Sequence, residues 1–331
     1  MIKSNFLDSL NGKNEGRPPV WFMRQAGRYL SSYQDFRKRY TIEQICHDPK
    51  LASEISWKAS EYLSTDAAII FSDIAIPLEN LGYSVKYVEG TGPVPELKLM
   101  NREYSAVSEA SRAIREFKQK RPEIPIIGFI GGPLTLSSYV VGKGPDKDLK
   151  ITKGLLSSSD ETYHALMLEI LEVLKWEVTQ QIRQGADCIQ IFDSWLGFID
   201  REDAENILIK FVKPITEIVK KEGKKSIYFS TGTSGMIETL IKSGSDFLSL
   251  DWKCSLQDVR AEFPEIGLQG NLDPRLLRES PEKALEKSLE IIRFMRNDPN
   301  YIFNLGHGVL PGTDQLKLRE ITKKIRGEIH E

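Results

Sequence analysis

An α/β fold, a single (β/α)8 barrel with long βα-loop insertions, is predicted for residues 1–331 by three observations. Eight short apolar runs, at 20–23, 67–71, 124–130, 188–192, 226–230, 247–251, 267–270 and 301–305, are spaced along the chain. They are continuously apolar or nearly so, as suits parallel strands buried on both faces. Amphipathic stretches lie between them, and alternation of this kind builds a parallel sheet. Eight units close a barrel, and the count disfavours the competing doubly wound open sheet. Barrels of this type take about 250 residues. The surplus of a 331-residue chain falls in an N-terminal arm and two insertions, 74–123 and 132–159. No low-complexity linker marks a second domain.

The first run, Val20-Trp21-Phe22-Met23, leads directly into Arg24-Gln25-Ala26-Gly27-Arg28-Tyr29-Leu30. A helix here would set Arg24 and Arg28 one turn apart on one face, a paired guanidinium site for carboxylates or phosphates. The ordinary alternative is two surface arginines at a helix start, where cations are mildly disfavoured. Helical patterns follow over 48–63, 160–184, 202–221, 236–242 and 281–295. Asp48-Pro49 and Ser280-Pro281 read as cap-then-proline starts, and Gly185 and Gly223 stand where helices stop.

Barrel chemistry gathers at the C-terminal strand ends. Reading those ends in order gives Arg24 and Arg28, Asp73, Gly131-Gly132-Pro133, Asp193-Ser194, Thr231-Gly232-Thr233, Asp251-Trp252, Asn271-Leu272-Asp273 and Gly306-His307-Gly308. No member is specific alone; their common mouth is the signal. Asp73 can cap the helix that follows or serve as an anion in the site. His307, between two glycines, points to a site because a structural histidine rarely needs bare backbone on both sides. Ser194 can be an N-cap, Asp193 a loop brace and Tyr139 a packing residue. His47 and His164 sit within helical patterns and read as structural.

A net charge of −2 leaves no global basic field for nucleic acid, so an anionic ligand needs a local cationic pocket. No apolar run reaches the roughly 18 residues of a membrane span, and Met1-Ile2-Lys3-Ser4-Asn5 lacks the apolar core of a secretory signal. Cys46, Cys188 and Cys254 are few and far apart and read as free thiols of a reducing cytoplasm. There is no dinucleotide fingerprint, Walker loop, nucleophile elbow or zinc-type spacing. The expectation is chemistry with neither metal nor nucleotide.

The segments Met23–Leu30, Ile69–Ile74, Gly128–Leu136, Gln190–Trp195, Leu250–Trp252, Gly270–Pro274 and Asn304–Pro311, taken in order, resemble the uroporphyrinogen decarboxylase family over nearly the whole chain. The resemblance implies a (β/α)8 barrel, a homodimer and no cofactor. The implied reaction converts the four acetates of uroporphyrinogen III to methyls, giving coproporphyrinogen III. It places Arg24, Gln25, Ala26, Gly27, Arg28, Asp73, Tyr139, Phe192, Ser194 and His307 in the substrate cleft, with Asp73, Arg24 and Arg28 catalytic. Asp73 would accept the pyrrole N–H groups and stabilise a cationic intermediate. The arginines would bind carboxylates, and one is a candidate proton donor despite its high pKa. The chain departs from the family pattern at Leu134, where tryptophan is common, and at Gly142, where glutamate often stands. Two rivals are a zinc-dependent corrinoid or thiol methyltransferase of the same fold and a non-catalytic tetrapyrrole binder.

Overall fold

The computed structural model describes residues 4–88, 92–98, 107–146 and 148–327; residues 89–91, 99–106 and 147 of the two predicted insertions lie outside that set. The strands are β1 (Ala68–Ile69), β2 (Tyr83–Val88), β3 (Gly92–Leu97), β4 (Ile126–Gly131), β5 (Cys188–Phe192), β6 (Lys225–Phe229), β7 (Phe247–Ser249), β8 (Gly267–Leu272) and β9 (Tyr301–Leu305). Seven form one parallel sheet in the order β1-β4-β5-β6-β7-β8-β9. Helices alternate with them, as the sequence predicts.

The first predicted strand is a stave without a regular ladder. Residues 19–23 lie between β9 and the start of β1. Val20 pairs with Phe303 in a parallel bridge, Phe303 N–H donates to Pro19 O at 2.8 Å, and Asp66 N–H donates to Val20 O at 2.8 Å. Pro18 and Pro19 have no N–H to give, so a regular ladder cannot form there. The Asp66 carboxylate compensates by accepting from Val20 N–H, from both terminal nitrogens of Arg17 and from Arg326. The second strand is cut to two residues because Phe71 N–H leaves the sheet to donate to Ser56 Oγ at 2.7 Å.

The core has two layers. Inward residues Trp21, Met23, Ile69, Ile127, Cys188, Ile227, Phe247 and Ile302 fill the barrel, and Phe6 and Leu10 of the helix Asn5–Leu10 pack with them. A polar stripe crosses this interior: Trp21 Nε1–H donates to Gln269 Oε1, and Gln269 Nε2 donates to Gln190 Oε1 and Ser249 Oγ. A larger apolar layer lies between strands and helices.

Asp48 caps the helix Pro49–Leu63 with its side chain, and Gly185 and Gly223 adopt positive φ after their helices, as read from the sequence. Ser280 precedes Pro281 but makes no side-chain cap bond. The segment 202–221 is interrupted by a π-helical turn, Leu208–Val212. The first insertion contains an antiparallel hairpin, β2–β3, that the sequence reading missed. Leu134 is fully buried, and a Cβ at Gly142 would stand 2.8 Å from Ser138 O, so the glycine suits its turn. Among the described residues no helix is long and apolar enough to cross a membrane.

Candidate active site

At the C-terminal mouth of the barrel a solvent-open cleft has a volume of about 380 Å³. Its floor is the top of the barrel filling. Phe192 meets Phe129 edge-on at 5.6 Å and Phe229 at 6.1 Å, giving an apolar, aromatic surface. Polar groups stand around it. Arg24, Ala26, Gly27 and Arg28 come from the first loop, Asp73 from the second, Tyr139 from the helix Pro133–Val141, Ser194 from the loop after β5 and His307 from the loop after β9.

The helix expected at Arg24–Arg28 is absent; helix begins only at Ser31. Arg24 instead has φ of 59°, the left-handed region that non-glycine residues seldom occupy. The turn is braced from beneath by Gln25, whose placement corrects the sequence expectation. Gln25 is fully buried and does not line the cleft. Its Oε1 accepts from Phe22 N–H, its Nε2 donates to Ala67 O, and its carbonyl accepts from Tyr29 OH. Both arginine residues are exposed, and among the described residues neither guanidinium has a carboxylate partner. They are available to an anionic ligand.

Asp73 both braces a turn and faces the cleft. Its Oδ1 accepts from Ala75 N–H at 2.8 Å, just before the 3-10 helix Ile76–Leu81. Burial raises its carboxyl to about 6, against the opposing pull of the Ala75 amide and the Arg24 charge. His307 is shifted down, by burial first and by the Arg24 charge second, so the imidazole is neutral at pH 7. Burial likewise raises the Tyr139 phenol, which stays protonated.

The glycines around His307 have separate causes. A Cβ at Gly306 would collide with the backbone nitrogen of Trp252, while one at Gly308 would lie 2.6 Å from Arg24 Cδ. Arg24 therefore rests across Gly308. Gly308→Ala is expected to fold but displace the guanidinium, lowering kcat/KM about tenfold; an unchanged value would show that this contact does not set the arginine's position.

The remaining strand-end residues knit loops. Asp193 is buried and accepts from Thr135 N–H and Oγ1–H and from Tyr228 OH. Asp251 accepts from Gly232 N–H, and Asn271 donates to Asp251 O and Cys254 O. The sequence reading missed Phe129 and Phe229 as floor residues, although inward alternation along β4 and β6 carries that signal. It also missed Pro93, which the hairpin brings to the cleft.

Residues 1–327 match the family model for Uroporphyrinogen decarboxylase (URO-D). A relative named uroporphyrinogen decarboxylase from Picrophilus torridus is 39% identical, covering 97% of this chain and 96% of that protein. One of the same name from Aquifex aeolicus is 37% identical, covering 97% and 96%. In three dimensions, a methyltransferase from Methanosarcina mazei superposes with a TM-score of 0.77 at 16% identity, covering 99% of this chain and 98% of that one. That likeness establishes the barrel architecture. With near-complete coverage by the family and by relatives of one name, the chain belongs to the uroporphyrinogen decarboxylase family.

Proposed function

We propose that this chain decarboxylates the four acetate side chains of uroporphyrinogen III, yielding coproporphyrinogen III, and that Asp73 organises the reaction. The observation that carries the reading is one half-buried carboxyl beside an aromatic floor, with two guanidiniums at the rim that have no carboxylate partner among the described residues. The apolar faces of a tetrapyrrole suit the floor, and its peripheral carboxylates suit Arg24 and Arg28 through charge-assisted hydrogen bonds. Tyr139, Ser194 and the neutral His307 add hydrogen-bonding groups at the same edge.

The chemistry needs a sink for the electron pair released with carbon dioxide. Protonation of a pyrrole ring carbon supplies it. The bond between the acetate CH2 and its carboxylate breaks, its electrons enter the cationic ring, and carbon dioxide leaves. A proton then adds to the exocyclic carbon and the ring proton departs. The net change per acetate is one proton consumed and one carbon dioxide released. The Asp73 anion, placed to accept the central N–H groups, lowers the energy of the cationic intermediate. Groups that oppose developing charge this way lower the barrier by about 3–4 kcal/mol.

Anaerobic incubation with uroporphyrinogen III and a chelator tests the reading. Seven-, six-, five- and four-carboxylate products should appear stepwise. Unchanged substrate with folded protein would favour the non-catalytic binder, and bound zinc together with methyl transfer in place of decarboxylation would favour the methyltransferase-like rival. The homodimer and the cytoplasmic location belong to the same reading.

The ionisation of Asp73 fixes a pH dependence. Its anion is lost as pH falls through about 6, and kcat/KM reports groups of the free enzyme. We expect kcat/KM to drop about tenfold per pH unit below that point. A flat profile between pH 7 and 5 would contradict an anionic role for Asp73.

A further inference from the structure

Beside Asp73 lies a second space that this mechanism does not use. Its volume is about 220 Å³, and it shares Ser72, Asp73, Ile74 and Phe129 with the substrate cleft. Asp73 therefore stands where the two spaces meet. Away from the cleft, His47 Nε2 and Glu79 Oε2 pair at 2.9 Å with side chains about a third exposed. The same lining holds Ser108, Glu109, Glu177 and Gln181.

Glu177, on the helix Glu161–Arg183, is 2% exposed. Its Oε1 accepts from Ser108 Oγ at 2.9 Å and from Gln181 Nε2 at 2.7 Å. Gln181 Oε1 and Glu109 Oε2 are buried without a hydrogen-bond partner among the described residues. Unsatisfied polar atoms beside a cavity are where bridging water belongs, and this volume has room for several molecules. The cavity brings Glu109, Glu79, His47 and Asp73 toward Glu177 from the packed elements. Burial raises the Glu177 carboxyl to about 7, where it can take up and release a proton near neutrality.

Resting on the decarboxylase reading, we propose that this cavity is the passage by which the consumed protons reach the cleft from solvent, with Glu177 as its relay carboxyl. A macrocycle seated on the aromatic floor covers the open mouth, whereas this passage approaches Asp73 from the side. Glu177 takes a proton from water on its outer side and gives one to water on its inner side, returning to its starting state. Each cycle thus supplies the one proton that replaces each departing carbon dioxide. Glu177 acts through water rather than on the substrate, so it is a positioning residue of the reaction.

Two variants test the passage. Glu177→Gln keeps an oxygen that can accept from Ser108 and Gln181 but cannot relay a proton. Ala110→Leu, on the helix Glu109–Lys120, fills the cavity without altering an acid. Both are expected to lower kcat about tenfold with KM unchanged, and Glu177→Gln to enlarge the solvent deuterium isotope effect on kcat. Should Glu177→Gln prove unstable, Ala110→Leu carries the same expectation. Values of kcat within twofold of the unmodified protein in both variants would overturn the passage and leave the decarboxylase reading standing. An unmodified protein that releases no carbon dioxide would overturn both.

Discussion

Asp73→Asn is expected to lose about two to three orders of magnitude in turnover while gaining stability. The lost rate follows from removing the carboxylate proposed to oppose the cationic intermediate. The fold should survive, because an asparagine oxygen can still accept from Ala75 N–H. The stability gain follows from linkage. Asp73 ionises near 3.8 in the unfolded chain and near 6 in the fold, so folding binds a proton between those values. The stabilising contribution of its protonated form is therefore full below 3.8 and is lost as pH rises through 6. At pH 7 the charged group is a burden of about 3 kcal/mol if fully dry, or about 1–2 kcal/mol beside a solvent-open cleft. Asparagine removes that burden. Asp73→Asn should thus melt higher than the unmodified protein at pH 7 and nearly equal to it at pH 4. Near-normal turnover would remove Asp73 from the centre of the mechanism; an unchanged melting point would show that its carboxyl is not strained.

Arg24→Ala is expected to have the second-largest effect. A charge-assisted hydrogen bond to a substrate carboxylate contributes about 1.5–3 kcal/mol, so kcat/KM should fall roughly 10- to 150-fold. The change should reach beyond binding, because the Arg24 charge lowers both Asp73 and His307. Without it, Asp73 becomes a weaker acid and the acid limb of kcat/KM moves above pH 6. A displaced limb together with weaker binding would distinguish this arginine from a surface cation. Loss of binding with an unmoved limb would detach Arg24 from Asp73.

Several parts of this molecule were legible in the sequence for clear reasons. The runs 188–192 and 301–305 became β5 and β9 with those bounds because continuous burial on both faces leaves an unambiguous pattern. Asp73, Ser194 and His307 meet at one mouth because the ends of parallel strands in a curled sheet converge, and Tyr139 joins them from the helix after β4. The first stave was overestimated because its leading prolines cannot donate and a distant carboxylate holds it instead. The hairpin was hidden by Pro93 and Pro95, which pair with Tyr87 and Val85 in a small two-stranded sheet that tolerates missing donors. The helix expected at Arg24–Arg28 gave way to a strained turn because buried Gln25 holds the backbone from three directions, none of which spacing reveals. Glu177 read as one polar position in a long helix; its partner Ser108 lies 69 residues away.

The most direct measurement is the structure of this protein with coproporphyrinogen III bound under reducing conditions. The macrocycle is expected on Phe129, Phe192 and Phe229, its four pyrrole nitrogens within about 3 Å of the Asp73 carboxylate, and its carboxylates toward Arg24 and Arg28. A macrocycle bound elsewhere, or in this cleft with its nitrogens turned from Asp73, would contradict it.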